Sequence, residues 1–168
     1  DPLSHTTRYV YDNLGRVTSV TDPLSNTAGD PNHSLFTRYD AAGNAIETVD
    51  QLGRVTSFQY DHLGRKTRRI DPDPDGGGPQ LSPETDYAYD AAGNLTSLTD
   101  PLDQVTWYVY DALGRQTHVI DALGSGPGDF DHATITAYDA VGNVLSLTDP
   151  EDNVTSYSYD RLDRLVTE

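Results

Sequence analysis

The chain has 168 residues, no Cys and no Met, and a formal net charge of −16. This acidity argues against nucleic acids and anionic membrane surfaces as partners, because both are bound through basic patches. No apolar run is long enough to span a membrane, so we predict no membrane insertion. Eleven Tyr and many Thr and Val residues favour β-strands over disorder, although only 35% of the residues are hydrophobic.

A Tyr-Asp pair recurs along the whole chain, with intervals of 28, 21, 29, 21, 28 and 21 residues. Every second interval is longer, so the unit is doubled into a superrepeat of 49 or 50 residues. We therefore predict one repeat array over residues 1–168, cut from a longer array. The repeats open at Tyr11, Tyr39, Tyr60, Tyr89, Tyr110, Tyr138 and Tyr159.

Each repeat is predicted to be a β-hairpin. In the strand before the turn of one repeat, Thr106, Tyr108 and Tyr110 alternate with Trp107 and Val109, which is the two-residue period of a strand. An Asp-x-x-Gly turn follows, in which Gly supplies a positive φ and closes a hairpin with a bulge. A Thr-rich and Val-rich return strand then ends at Asp, often before Pro. Turns are predicted at Asp12–Gly15, Asp61–Gly64, Asp90–Gly93 and Asp111–Gly114.

The hairpins are of two kinds that alternate without exception. We name them by the residue that follows the turn Gly. Arg hairpins open at Tyr11, Tyr60, Tyr110 and Tyr159, and Asn hairpins open at Tyr39, Tyr89 and Tyr138. The last Arg hairpin has Asp163 where all six of the other repeats have Gly. We expect this hairpin to be the weakest, because a non-Gly residue at positive φ costs about 1 kcal/mol.

Seven hairpins predict an all-β, antiparallel meander of about fourteen strands. A sheet of that number of strands would be roughly 65 Å wide at the usual strand spacing. We expect such a sheet to be curled or spiralling rather than flat, with the Tyr side chains of successive hairpins forming a ladder on one face.

The hairpins "YVYDNLGRVTSVTDP" and "YAYDAAGNLTSLTDP" closely resemble the YD repeats of bacterial Rhs proteins, of the C components of insecticidal Tc toxins, and of teneurins. The resemblance covers nearly the whole chain. It implies a spiralling sheet that forms a secreted or cell-surface shell, often around a toxic C-terminal domain. A shell in that family is several times longer than this chain, and the even alternation of short and insert-bearing units suggests a rod or fibre as well.

Long inserts follow the return strands of the Arg hairpins. The middle insert contains Asp71, Asp73 and Asp75 before Gly76, which is the alternation of carboxylates and turn residues that calcium prefers. No cofactor is required by the sequence, and calcium is the candidate ion. The segments Gly29–His33 and Gly128–His132 also gather oxygen ligands with one imidazole each, although Asp, Pro, Gly and Asn are typical of plain solvated loops as well.

No enzymatic activity is predicted, because no nucleophile, base and orienting group stand together in the sequence. Arg16, Arg65 and Arg115 are expected to pair with the turn carboxylates Asp12, Asp61 and Asp111. We predict a structural, extracellular segment, of bacterial origin, in the wall of a shell, tube or filament. The alternatives are an adhesion or ligand-binding module that uses the acidic inserts, and part of a cocoon around a toxin domain. The expected partners are flanking repeats or further copies at the open sheet edges.

Overall fold

The computed structural model describes residues 6–25, 28–78 and 80–167, and within them the protein is built of β-strands joined by turns. The chain divides into two compact units, Asp1–Thr85 and Asp86–Glu168. A single turn of 3-10 helix, Phe130–His132, lies in the second unit. In the described residues no helix is both long enough and apolar enough to cross a membrane.

The first unit is an antiparallel meander in which every strand pairs with the next one along the chain. Three Tyr-Asp hairpins supply its six strands. They are β1 Arg8–Tyr11, β2 Val17–Thr21, β3 Ser34–Tyr39, β4 Ala45–Val49, β5 Val55–Tyr60 and β6 Lys66–Ile70.

The second unit repeats this order, again with antiparallel pairing between successive strands. Its strands are β7 Glu84–Tyr89, which begins two residues before the unit, β8 Leu95–Thr99, β9 Val105–Tyr110, β10 Gln116–Ile120, β11 Ala133–Tyr138, β12 Val144–Thr148, β13 Val154–Ser156, β14 Ser158–Tyr159 and β15 Leu165–Thr167. The predicted all-β meander is confirmed. The described residues contain fifteen strands rather than about fourteen, because the strand before the last turn is divided: β13 pairs with β12 and β14 pairs with β15.

The predicted turns are present, and each hairpin carries a bulge beside its Tyr. In the first hairpin, Tyr11 pairs with Val17 whereas Val10 pairs with Ser19, so Thr18 has no partner in the register. The Thr18 hydroxyl instead donates to the Val10 carbonyl oxygen at 3.3 Å. Gly15 closes the turn with φ 76°, and its N–H donates to the Asp12 carbonyl oxygen at 3.0 Å. The extra residue increases the local twist of the strands.

The best-buried side chains lie at the base of two inserts. Thr21 and Ser34 are fully buried cross-strand partners at the first insert, and their hydroxyl oxygens lie 2.6 Å apart. Ile120 and Ala133 form the matching pair at the third insert and are also buried. The base of an insert can thus be closed by a hydrogen-bonded pair or by an apolar pair, because neither pair leaves a buried polar group without a hydrogen bond.

Candidate functional site

The Tyr-Asp motif builds a closed turn in which the aspartate binds the backbone ahead of it. In the first Arg hairpin, Asp12 Oδ1 accepts the N–H groups of Leu14 and Arg16 at 2.9 and 3.0 Å, and Oδ2 accepts Arg16 Nε at 2.7 Å. The same arrangement joins Asp61 to Arg65 and Asp111 to Arg115. The three Arg–Asp pairs expected from the sequence are therefore confirmed.

The Asn hairpins close the same turn with an amide. Asp40 accepts the backbone N–H and the side-chain Nδ2 of Asn44, each at 2.9 Å. Asp90 with Asn94 and Asp139 with Asn143 are bonded alike. In both kinds of hairpin, therefore, the side chain of the residue after the turn Gly donates a hydrogen bond to the turn aspartate of the same hairpin.

These hydrogen bonds hold the turn aspartates in the charged form. The backbone N–H of Arg16, and after it the guanidinium, lower the pKa of Asp12, with desolvation acting in the opposite direction. In the Asn hairpins, the side-chain amide and the backbone N–H of Asn44 lower the pKa of Asp40. The carboxylates are bound to their own chain as turn formers.

Three of the repeats are joined to the hairpin before them through the Tyr hydroxyl. Tyr39 donates to the Val17 carbonyl oxygen at 2.9 Å, and Tyr60 donates to the Ala45 carbonyl oxygen at 2.8 Å. In the second unit Tyr138 donates to the Gln116 carbonyl oxygen at 2.9 Å. Each acceptor lies directly after the Arg or Asn of the preceding hairpin, so one bond spans the joint between two repeats.

At the joint that follows an Arg hairpin, which we call an Arg junction, the guanidinium reaches forward to the next repeat. Arg16 Cζ lies 4.6 Å from the centre of the Tyr39 ring, and Nη1 donates to the Asp40 carbonyl oxygen at 3.1 Å. Arg115 lies 4.7 Å from the Tyr138 ring and donates to Asp139 at 2.8 Å. At these two joints the tyrosine ring therefore packs against the guanidinium of the preceding hairpin and does not stack on another tyrosine ring.

The joint that follows an Asn hairpin, an Asn junction, is packed differently. A Cβ at Gly64 would lie 3.4 Å from Asn44 Oδ1, so the amide of one hairpin lies against the turn Gly of the next. At the last Asn junction, Asn143 Nδ2 donates instead to the carboxylate of Asp163 at 3.1 Å. Asp163 has the positive φ that the sequence predicted, 57°, and its side chain gains a bond that Gly does not offer.

The short connections at the other end of the strands reuse the same turn, which the sequence analysis missed. Asp50 accepts the N–H groups of Leu52 and Arg54 and the Arg54 Nε, as Asp12 does in its hairpin. Asp100 and Asp149 open equivalent turns. The sequence signal was available: an Asp with Gly or Asp three residues later, in which Gly53, Asp103 and Asp152 have φ 75°, 60° and 64°.

In the first and third inserts, the side chains bind one another. His33 Nδ1 lies 3.2 Å from both carboxylate oxygens of Asp22, and the Ser25 hydroxyl donates to Asp30 at 2.8 Å. In the third insert Asp129 accepts the N–H and the hydroxyl of Ser125, and His132 Nδ1 lies 3.5 Å from its other oxygen. The His118 ring stacks on Phe130 at 4.4 Å and fixes this insert against β10.

The three aspartates predicted to bind calcium each have a partner within the chain. Asp71 Oδ1 pairs with Arg69 at 2.6 Å. Asp73 accepts the N–H groups of Asp75, Gly76 and Gly77, and Asp75 accepts those of Gly78 and Gln80. Within residues 6–25, 28–78 and 80–167, no three His, Asp or Glu side chains converge as a metal-binding group. Calcium binding stays a prediction, to be tested by titration.

Comparison with solved structures finds the same fold in toxin complexes. The chain superposes on a chain of the TcdB2–TccC3–Cdc42 crystal structure with a TM-score of 0.66 and 18% identity, over 96% of this chain and 9% of that one. It superposes on a chain of a Photorhabdus luminescens Tc holotoxin pore with a TM-score of 0.68 and 20% identity, again over 96% of this chain and 9% of the other. The chain thus spans about a tenth of the length of these proteins.

Comparison by sequence assigns the repeats. No curated protein sequence matches the chain significantly. The model of the RHS repeat, in contrast, matches residues 1–27, 39–76, 84–125 and 138–168, which is well over half of the chain and includes all seven Tyr-Asp pairs. The chain therefore belongs to the RHS repeat family.

Proposed function

We propose that this protein is a structural segment of the wall of a shell that encloses a toxin domain. The observation that carries the proposal is the joint between hairpins. The hydroxyls of Tyr39, Tyr60 and Tyr138 bind the repeat before them. The guanidinium groups of Arg16 and Arg115 bind the repeat after them. When the polar groups of a motif bind the neighbouring repeat, the motif extends a sheet and few of its groups are available for catalysis.

The resemblance of the fold to chains of Tc toxin structures supports a shell over a fibre. Because the chain spans only 9% of those chains, the enclosed domain, the extracellular location and the bacterial origin are parts of the proposal. Flanking repeats are its proposed partners. Side chains of the first and last hairpins are the proposed contact sites for these repeats. Arg164 is 74% exposed and Tyr11 is 56% exposed, whereas Arg16, which a following hairpin covers, is 27% exposed.

A wall has an inner and an outer face, and the absence of Cys from the chain allows each face to be labelled by itself. Thr134 and Ala137 are both exposed on β11 and lie on opposite faces, because side chains alternate along a strand. We would introduce Thr134→Cys or Ala137→Cys into the natural full-length product, in which every cysteine outside this segment is replaced by serine. Each variant is treated with a small maleimide and with a maleimide on a large polyethylene glycol.

In a closed shell, one of the two cysteines should react with the small reagent only, and the other should react with both. Denatured samples, in which both positions should react with both reagents, serve as the matched control. If both cysteines react with the large reagent in the folded product, the segment is exposed on both faces and the shell proposal is wrong.

A further inference from the structure

Two clefts open on the face of the sheet that carries the Tyr side chains, one in each unit. The first is an open groove of about 610 Å³ at the Asn junction between Asn44 and Tyr60, with Asp61 in its wall. The second is an open groove of about 550 Å³ lined by Asn94, Tyr110 and Asp111, the residues one superrepeat later. The same cleft therefore occurs twice.

The equivalent positions at the Arg junctions hold a guanidinium. There the Arg16 guanidinium covers the ring of Tyr39 and donates to the Asp40 carbonyl oxygen, and Arg115 does the same with Tyr138 and Asp139. Ring and carbonyl together form a receptor for a planar cation, since the ring face is electron-rich and the carbonyl accepts a hydrogen bond.

At the Asn junctions a Tyr and an Asp occupy the equivalent positions in the cleft wall, and Asn replaces the Arg. Tyr60 and Asp61 stand where Tyr39 and Asp40 stand at the Arg junction. The Asn44 amide is bonded to Asp40, in its own hairpin, and lies against the turn Gly64. The ring of Tyr60 is held in place by its hydroxyl, which donates to the Ala45 carbonyl oxygen at 2.8 Å. Because the Asn44 side chain is shorter than that of Arg, it does not fill this space, and the cleft remains open.

One carboxylate in the wall of each cleft is bound to a neutral Asn amide: Asp40 in the first and Asp90 in the second. Asp61 and Asp111 also line the clefts, but they pair with Arg65 and Arg115. Burial, and after it the charge of Asp40, raises the pKa of Tyr60. Phe58 also lines the first cleft, and the Lys66 ammonium lies 4.5 Å from the centre of its ring, so one ring of this cleft already binds a cation of the chain.

We propose that these two clefts are binding sites for a guanidinium group, supplied by an Arg side chain of a partner polypeptide. Each takes the cation between the Tyr ring and the carbonyl oxygen of the following Asp, as the protein's own Arg16 and Arg115 are bound at the Arg junctions. The proposal goes beyond the wall function and does not depend on it, because it concerns a local receptor.

The test is a titration of the full chain, followed by the backbone amide NMR signals of the cleft residues. The probes are N-acetyl-arginine amide, its neutral isostere N-acetyl-citrulline amide, and N-acetyl-lysine amide. We expect arginine to shift the signals of His62 and Gly64 at the first cleft and of Ala112 and Gly114 at the second, with saturation at roughly millimolar concentration. Citrulline should bind about tenfold more weakly or worse, because it lacks the charge.

The matched variant fills one cleft from within. Asn44→Arg should abolish the arginine-induced shifts at His62 and Gly64 and leave those at Ala112 and Gly114 unchanged, so the second cleft is the internal control. Asn94→Arg is the reciprocal variant and keeps the test valid if Asn44→Arg does not fold.

Three results would overturn the proposal. Equal shifts with citrulline or lysine would show that the guanidinium is not recognised. Shifts spread over the acidic inserts instead of the clefts would show unspecific attraction to a chain of net charge −16. Unchanged shifts in both Arg variants would show that arginine binds elsewhere.

Discussion

Arg16 and Tyr39 belong to different hairpins, yet the guanidinium carbon lies 4.6 Å from the centre of the tyrosine ring. The same guanidinium binds the Asp12 carboxylate in its own hairpin and the Asp40 carbonyl oxygen in the next one. One side chain thus fastens a turn and a joint together. The turn depends on residues four apart, whereas the joint links residues 24 apart.

Arg16→Lys should lower the free energy of unfolding by about 1–2 kcal/mol, because an ammonium cannot bond the carboxylate and the carbonyl while it covers the ring. Urea denaturation measures the change. The control is Arg54→Lys, at a pair that is mostly exposed, where we expect a change of less than about 0.5 kcal/mol. Equal losses in the two variants would show that Arg16 acts only through its Asp.

Asp163→Gly should leave stability nearly unchanged in the parent. Relief of the positive φ gains about 1 kcal/mol, but the hydrogen bond from Asn143 is lost and offsets it. In an Asn143→Ala background that bond is already absent, so there Asp163→Gly should stabilise the chain by about 1 kcal/mol. Thermal melts of the parent, the two single variants and the double variant complete the cycle. A clear loss of stability in both backgrounds would mean that the turn needs the Asp for another reason.

Much of the fold could be predicted from the sequence, because its turn chemistry is local. Asp-x-x-Gly between strands of period two places the hairpin turns, and the pairing of Arg16 with Asp12 follows from their closeness in the chain. The stacking of Arg16 on Tyr39 could not be predicted, because it depends on how two hairpins pack across an insert. The alternation of Arg and Asn was the visible trace of that joint, without its geometry.

Two further features were missed for physical reasons of the same kind. The turn at Asp50 was visible as Asp-x-x-Gly but lies outside a Tyr-Asp pair, so its identity to the hairpin turns was overlooked. The clefts at Asn44 and Asn94 arise from the difference in length between Asn and Arg across a joint. A one-dimensional pattern contains the substitution but not the space that it leaves.

The stability of the protein should fall as the solution is acidified. Hydrogen bonds from the backbone N–H of Arg65, and after it from the guanidinium, lower the pKa of Asp61 below its ordinary value of 3.8. A carboxyl whose pKa is lower in the folded state stabilises the fold above the unfolded pKa, and this contribution is lost as the pH falls through the folded pKa.

Because many turn aspartates share this shift, we expect the melting temperature to drop between about pH 5 and pH 2. Asp61→Asn removes one of the titrating groups and should make the drop smaller. A melting temperature that rises on acidification would show that relief of the repulsion among the −16 net charges outweighs the turn bonds.

The calcium hypothesis for the middle insert predicts a higher melting temperature of the parent in millimolar calcium than in chelator, because an ion that binds only the folded state stabilises it. Equal melting in the two solutions would contradict it. Asp73→Ala should lower the melting temperature even in chelator, since the Asp73 carboxylate accepts three backbone N–H groups. That second result separates the role of Asp73 in the turn from any role in binding an ion.

The wall function is tested most directly by electron cryomicroscopy of the natural full-length product that contains these repeats. We expect a hollow particle in which the hairpins of Tyr11 to Tyr159 form part of a continuous wall. In that wall, the next repeat should cover the guanidinium of each Arg hairpin. A solid filament, or repeats that hang free from a compact body with both faces in solvent, would contradict the account.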